Sequence, residues 1–196
     1  MGVVIIQYNA GNIFSVNYAL KRLGVQAEIT GDPDKIRKAD KVIFPGVGEA
    51  STTMEYLRET GLDRVIVGLK QPVLGICIGL QLLCRHSQEG NTSCLNVFEE
   101  SITRFQSGPL KEKIPHMGWN TLKGMKTPLF EGVPENPYVY FVHSFRAETG
   151  PDTIAAAHYA GDFSAALQKN NFYAVQFHPE KSGEIGTLIL QNFLKF

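Results

Sequence analysis

A single cysteine stands between two glycines in the stretch "QPVLGICIGLQLLCRH" (71–86). An apolar run reaches Gly75, Cys77 follows it, and Gly79 precedes a helix-like pattern. A residue on a tight turn between a parallel strand and a helix is held at the carboxyl edge of the sheet, where α/β folds bind ligands. The helix start favours the thiolate, and the N–H of Ile78 is placed to stabilise an oxyanion. The pattern therefore predicts a nucleophile; the alternative is glycines that serve packing alone.

A nucleophilic thiol needs a base, and His178 in "VQFHPEKS" has the most informative context of the five histidines. Pro179 restricts His178 to extended geometry, and residues i and i+2 of an extended chain face the same way. Glu180 can therefore orient one imidazole nitrogen while the other faces the thiol, as in a triad. The alternative for "HPE" alone is a surface turn. The other histidines lack such a carboxylate neighbour, and we interpret His86 and His158 as ordinary.

A second glycine turn, "FPGVGEA" (44–50), also follows a predicted strand. In a parallel sheet this turn should reach the same edge as Cys77. Glycines there let a backbone N–H approach a ligand closely, which with Ile78 would give two oxyanion donors. The alternative is a simple strand-to-helix turn.

Alternating strand and helix patterns position these groups. We predict an α/β fold with an open, mostly parallel sheet flanked by helices. The predicted strands of the first half are 3–7, 25–30, the run that enters the turn at 41–50, and 72–76. The predicted helices are 12–24 (with Asn12 as N-cap and Gly24 as the C′ residue), 32–40, 50–61, 62–70, 77–87 and the C-terminal 183–196. Short strands at 101–105, 138–145, 153–159, 164–168 and 173–178 should add antiparallel pairs in the C-terminal half.

Composition limits the function classes. The chain has 196 residues, 43% apolar and 19% charged, with zero formal net charge. We expect one domain over 1–196, without a nucleic-acid or membrane surface and without a signal peptide. Three cysteines without a C-x-x-C pair favour reduced thiols in the cytoplasm, with Cys84 and Cys94 as small buried apolar residues. The histidines show no metal-ligand spacing, so neither a metal nor a cofactor is expected.

The motifs together resemble the class I glutamine amidotransferases. The resemblance is closest to the glutaminase subunits of imidazole glycerol phosphate synthases. It is carried by "QYNAGNIFSV", "FPGVGEA", "GICIGLQLL", "IPHMGWN", "YFVHSF" and "QFHPEKSG", which span nearly the full length. "GICIGLQLL" and "HPEKS" indicate the class, and "HMGWN" is the most discriminating for the histidine-biosynthesis branch.

The resemblance implies a role for each matching residue. Cys77 would attack the glutamine amide, His178 would move the proton, and Glu180 would orient His178. The implied oxyanion hole consists of Ile78 and the turn residues Gly46, Val47 and Gly48, whose peptide can reorient in the family. The positions that match the glutamine-binding residues are Gln81, Glu89, Ser144 and Phe145.

The resemblance also implies a protein partner. In the family, ammonia passes to a (β/α)8-barrel synthase subunit that makes imidazole glycerol phosphate and an aminoimidazole carboxamide ribonucleotide. Partner and nucleotide ligand control the glutaminase there. The positions that match segments near the interface are Asn12, Ser15, Trp119, Asn120 and Lys181. Trp119 is expected in a turn, and its alternative role is packing.

Other functions fit parts of the pattern. The glutaminase subunit of pyridoxal phosphate synthase shares the fold and triad but should lack "PHMGWN". A cysteine-based sensor of similar fold would use the thiol without a His–Glu pair. An inactive regulatory module is the third alternative. The intact "HPE" beside an intact elbow argues against the last two.

Overall fold

A computed structural model describes residues 2–9, 12–108 and 111–196 of the chain. The strands and helices of its first half are β1 (Val3–Ile6), α1 (Ile13–Arg22), β2 (Ala27–Thr30), α2 (Pro33–Lys38), β3 (Lys41–Gly46), α3 (Ala50–Glu59), α4 (Leu62–Val67), β4 (Val73–Cys77) and α5 (Ile78–Leu83). Those of the second half are β5 (His86–Ser87), β6 (Thr92–Ser93), β7 (Ser101–Arg104), β8 (His116–Thr121), β9 (Tyr138–His143), β10 (Phe145–Ala147), β11 (Thr153–His158), β12 (Asp162–Lys169), β13 (Phe172–Val175) and α6 (Gly183–Lys195).

The main sheet is mixed, with the order β2-β1-β3-β4-β13-β12-β10-β7-β5-β6 and β11 beside β12. The strands from β2 to β13 run parallel. The additions β12, β10 and β11 pair antiparallel to their neighbours, and β7 pairs antiparallel with β10 but parallel with β5. Strands β8 and β9 form a separate antiparallel pair. The predicted α/β class with added antiparallel strands is confirmed.

The central strands of the sheet are apolar because helices cover both faces of the sheet. In β1, Val3 and Ile5 join one cluster of buried side chains, while Val4 and Ile6 join another. This alternation is what a period of two produces in a strand buried on both faces. Helices α1 and α6 contribute to the first cluster, and α2 to α5 contribute to the second.

Several local predictions were wrong in detail. The helix after Cys77 ends at Leu83, and the chain then turns into the short strand β5. Trp119 lies within β8 and not in a turn. Asn12 is the N-cap residue of α1 as predicted, but its backbone is left-handed (φ 68°) and its side chain makes no capping bond. Gly24 takes the positive φ expected of a C′ residue. Across the described ranges, no helix is long and apolar enough to cross a membrane.

Candidate active site

Cys77 lies on a strained bend between β4 and α5. Its φ of 55° and ψ of −108° are unusual for a residue with a side chain. A Cβ at Gly79 would overlap the carbonyl oxygen of Phe44, and a Cβ at Gly75 would come within 3.0 Å of the Gly79 backbone. The two glycines therefore let the backbone pack closely around the bend. Cys77 is 7% exposed.

Strand register brings the second glycine turn to the same edge of the sheet. Gly46, the last residue of β3, pairs directly with Cys77. The hydroxyl of Tyr8 donates to the Pro45 carbonyl at 2.6 Å and, with the Ile78 methyl group, fills the space that a Cβ of Gly46 would need. Burial and the charge of Cys77 both raise the pKa of Tyr8, so this residue stays a neutral donor. Sequence reasoning missed Tyr8, because its role depends on a contact 37 residues away.

His178 reaches the site from the end of the chain through a well-anchored turn. The backbone N–H of His178 donates to the Tyr140 carbonyl at 2.9 Å. The hydroxyl of Ser182 donates to the His178 carbonyl at 2.7 Å and accepts from the Tyr140 N–H at 3.0 Å. These three bonds fix the backbone on both sides of the imidazole, which is fully buried.

The expected bond between His178 and Glu180 is present, but the geometry behind it differs. Nδ1 of His178 lies 2.8 Å from Oε1 of Glu180, and both side chains are buried. Glu180 belongs to a 3₁₀ turn, Pro179–Lys181, so the extended-chain argument for its direction was wrong. Asn12 also donates to Oε1 of Glu180, at 2.6 Å. The side chain predicted to cap α1 thus binds the acid of the triad.

The charge balance around His178 favours its protonated form. Burial alone lowers its pKa, but the Cys77 sulfur and the Glu180 carboxylate outweigh burial and raise it to about 10. Nε2 of His178 is buried and, within the described residues, has no hydrogen bond of normal geometry. The thiol and the imidazole are therefore coupled by charge and proximity in this state, as is common before substrate tightens a site.

A cavity of about 250 Å³ opens beside Cys77. Its lining consists of Val47, Gly48, Cys77, Ile78, Gln81, Glu89, Val142, His143, Ser144 and Phe145. Seven of these match predicted oxyanion or substrate positions, and Cys77 is the predicted nucleophile. Gly46, the remaining predicted oxyanion residue, does not line the cavity. Ser144, at the break between β9 and β10, and Phe145, the first residue of β10, both line the cavity.

Hydrogen bonds set the polarity of the cavity wall. Nε2 of Gln81 donates to the Phe145 carbonyl at 3.1 Å and to Oε1 of Gln176 at 3.0 Å. Both amide hydrogens of Gln81 are thereby used, which leaves its Oε1 as an acceptor. Oε2 of Glu89 accepts from the N–H of Ala50 at 2.8 Å, and burial raises the pKa of Glu89.

Two buried histidines that sequence reasoning left without a role lie at this wall: His143 is part of the lining, and His116 is hydrogen-bonded to His143. Nδ1 of His143 donates to the Phe145 carbonyl at 2.7 Å, so its Nε2 accepts from Nδ1 of His116 at 3.0 Å. Burial lowers the pKa of His116 to about 4 and that of His143 to about 3. Both rings are therefore neutral near pH 7. The signal for this pair was present in "HMGWN" and "YFVHSF", but the pairing needed the β8–β9 register, in which His116 faces His143.

Two of the five residues matched to a partner interface, Trp119 and Lys181, share Tyr140 as a neighbour. Trp119 is 54% exposed and packs edge-on against Tyr140, whose ring also lies 5.9 Å from Nζ of Lys181. Asn120 donates to the His158 carbonyl at 2.9 Å. Ser15 is half-buried on α1.

The other cysteines and histidines fit simpler roles. Cys84 is fully buried, and burial raises its pKa well above the usual range; half-buried Cys94 has its pKa raised to about 11 by burial. His158 has a carboxylate neighbour, Asp162, at 2.7 Å, contrary to expectation, but both side chains are exposed. In the part of the chain that the structure describes, no three His, Cys, Asp or Glu side chains are grouped to hold a metal.

Comparisons with known proteins agree with this geometry. Residues 4–196 match the family "Glutamine amidotransferase class-I". The chain is 57% identical over 195 residues to the "Imidazole glycerol phosphate synthase subunit HisH" of Bacteroides fragilis strain YCH46, covering both proteins completely. It is 44% identical over 196 residues to the subunit of the same name from Haemophilus influenzae strain Rd, covering all of this chain and 98% of that one. A solved glutamine amidotransferase superposes with a TM-score of 0.76 over 99% of this chain and 98% of that chain at 21% identity, which supports the fold alone. Matched over its length in sequence and fold, the chain belongs to the class-I glutamine amidotransferase family, among the HisH subunits of imidazole glycerol phosphate synthase.

Proposed function

We propose that this chain hydrolyses glutamine to glutamate and ammonia as the glutaminase subunit of an imidazole glycerol phosphate synthase. The observation that carries the proposal is a strained Cys77 that lines a cavity of about 250 Å³ and interacts with a buried His178 bonded to Glu180. Within this proposal, residues 1–196 act as one glutaminase domain in the cytoplasm, to which the three unpaired cysteines are suited.

The reaction follows from the arrangement of the proposed triad. The Cys77 thiolate attacks the δ-carbonyl carbon of glutamine, and the negative charge moves to the carbonyl oxygen. Protonated His178 gives its proton to the departing nitrogen, so ammonia leaves and a glutamyl thioester remains. Neutral His178 then takes a proton from water, which attacks the thioester; the Cys77 thiolate leaves, glutamate is released, and the pair of thiolate and protonated His178 is restored. Glu180 keeps the imidazole oriented and stabilises its charged form.

The oxyanion would form between α5 and the glycine turn. We assign one donor to the N–H of Ile78 and the second to the turn Gly46–Gly48, where the exposed peptide at Val47 can reorient. Tyr8 anchors the start of this turn through the Pro45 carbonyl.

The rest of the cavity suits the amino-acid end of glutamine. The substrate ammonium would meet the free oxygen of Gln81 and the carboxylate of Glu89, both acceptors on the cavity wall. The backbone of Ser144 and Phe145 would bind the extended part of the substrate. Glu89 also holds the first turn of α3, so its replacement should affect packing as well as binding.

The ammonia would pass to a barrel-type synthase subunit bound on the face of β8 and β9. Met117, Trp119 and Tyr138 each expose more than half of their surface there, which is unusual for large apolar side chains. The other proposed interface residues are Asn12, Ser15, Asn120 and Lys181. Since Asn12 donates a hydrogen bond to Glu180, a partner residue that contacts Asn12 would act directly on the triad.

The test is a glutaminase assay on the purified chain, alone and with the barrel subunit and its nucleotide ligand. We expect slow glutamate release alone and strong stimulation in the complex. Cys77→Ala should abolish release and leave complex formation intact. Fast turnover without a partner would overturn partner control, and substantial activity in Cys77→Ala would overturn the nucleophile. Stimulation by a pyridoxal phosphate synthase subunit instead would favour that alternative.

A further inference from the structure

Gln176 is a completely buried amide beside the nucleophile, and the mechanism above gives it no task. A buried amide is costly unless its polar atoms are bonded. Its Nε2 lies 3.8 Å from the sulfur of Cys77, within the range of an N–H to sulfur hydrogen bond. Its Oε1 accepts from Gln81 at 3.0 Å.

Strand pairing explains how this side chain reaches the sulfur. The last parallel pair between β13 and β4 is Val175 with Ile76, so the residues that follow this pair, Gln176 and Cys77, are neighbours at the carboxyl edge. The N–H of Gln176 still donates to the Ala165 carbonyl at 2.9 Å, which keeps its backbone in the sheet. The side chain is therefore directed by the sheet and not by a mobile loop.

The bonds of Gln81 fix which end of the Gln176 amide faces the sulfur. Gln81 must donate to Gln176, since its Nε2 also donates to the Phe145 carbonyl. The partner atom of Gln176 is then its oxygen, and its NH₂ group is turned to Cys77. A negatively charged sulfur accepts such a bond more strongly than a neutral thiol does.

We infer that Gln176 is a further catalytic residue: its side-chain N–H donates to the Cys77 sulfur, stabilises the thiolate and fixes its direction, while Gln81 holds the amide in place. Gln81 lines the cavity, so the same amide pair links the substrate pocket to the nucleophile. The inference deepens the proposed glutamine hydrolysis and rests on it for the catalytic role. The contact itself can be tested without glutamine.

The first test measures alkylation of Cys77 by iodoacetamide against pH in the full chain, with the modified peptide identified by mass. Gln176→Met removes the donor at similar length. We expect the midpoint of its rate–pH curve to rise by about one pH unit, so that the alkylation rate at pH values below the wild-type midpoint falls about tenfold. Gln71→Met is the matched control, because that amide bonds the Ile36 carbonyl and the Lys70 N–H, near the other end of β4. An unchanged midpoint in folded Gln176→Met would overturn the inference.

A second measurement needs no Gln176 variant. In wild-type protein, the side-chain amide resonance of Gln176 should shift with pH at the same midpoint as alkylation, and Cys77→Ser should abolish that shift. A Gln176 amide resonance that does not change when the Cys77 sulfur is ionised would also overturn the inference. In the complex, Gln176→Met should lower kcat about tenfold with little change in KM. If the chain hydrolyses no glutamine while the alkylation and amide shifts occur, the proposed function fails and the contact stands.

Discussion

Lowering the pH should destabilise this protein through His143. Burial, with smaller repulsion from His116, His178 and Arg146, lowers its folded-state pKa from 6.5 to about 3, although its bond to the Phe145 carbonyl opposes the shift. The unfolded chain therefore binds a proton more readily than the folded chain. The stabilisation is fully present above the unfolded pKa of 6.5 and is lost progressively as the pH falls toward 3.

The size of the effect follows from these two values. Between pH 7 and pH 5, linkage with pKa values of 6.5 unfolded and about 3 folded removes about 2 kcal/mol of folding free energy. For a chain of this length, about 2 kcal/mol corresponds to roughly 4–8 °C in the unfolding temperature.

Thermal unfolding at pH 7 and pH 5 measures this effect, with matched variants isolating His143. His143→Asn keeps a donor for the Phe145 carbonyl but cannot be protonated, so it should lose less on acidification than the wild type by roughly 4–8 °C. His158→Asn, changed at an exposed ring, should behave as wild type. Equal losses in wild type and His143→Asn would show that His143 is not held neutral by the fold.

Three other outcomes follow from the site. Gly79→Ala should lower the free energy of unfolding by about 3 kcal/mol because the new Cβ would meet a backbone carbonyl. Gly124→Ala, which has open space around it and a φ of 61°, should lower it by about 1 kcal/mol. Equal costs of the two variants in chemical denaturation would contradict the packing argument. Asn12→Ala should lower kcat for glutamine about tenfold, since it removes a bond to a buried carboxylate, and an unchanged kcat would separate Asn12 from the triad. Glutamate release should fall less in Glu180→Gln than in His178→Asn, because the acid only orients the base; equal retained activity in both would mean that the base lies elsewhere.

The local part of the site could be predicted from sequence because its signals are local. The glycines around Cys77 and the short run from His178 to Glu180 are steric and chemical patterns within a few residues. The shared sheet edge of Cys77 and Gly46 followed from the rule for parallel strands, and their pairing agrees. The reason given for Glu180 was nevertheless wrong, since a 3₁₀ turn directs it.

The remaining contacts depend on pairings between distant segments. Asn12 carries a common N-cap signal, yet a partner 168 residues away takes its side chain. The β8–β9 register pairs His116 with His143, and the β13–β4 register places Gln176 beside Cys77. Local propensity carries no information about such registers, so these residues could be found only from the fold.

The most direct test of the central claim uses a glutamine analogue that carries a reactive diazoketone in place of the amide. After reaction with the complex, peptide mass mapping should find one adduct, on Cys77, and its yield should match the loss of glutaminase activity. Inactivation with the adduct on Cys84 or Cys94, or inactivation with no adduct on Cys77, would contradict the assignment of the nucleophile.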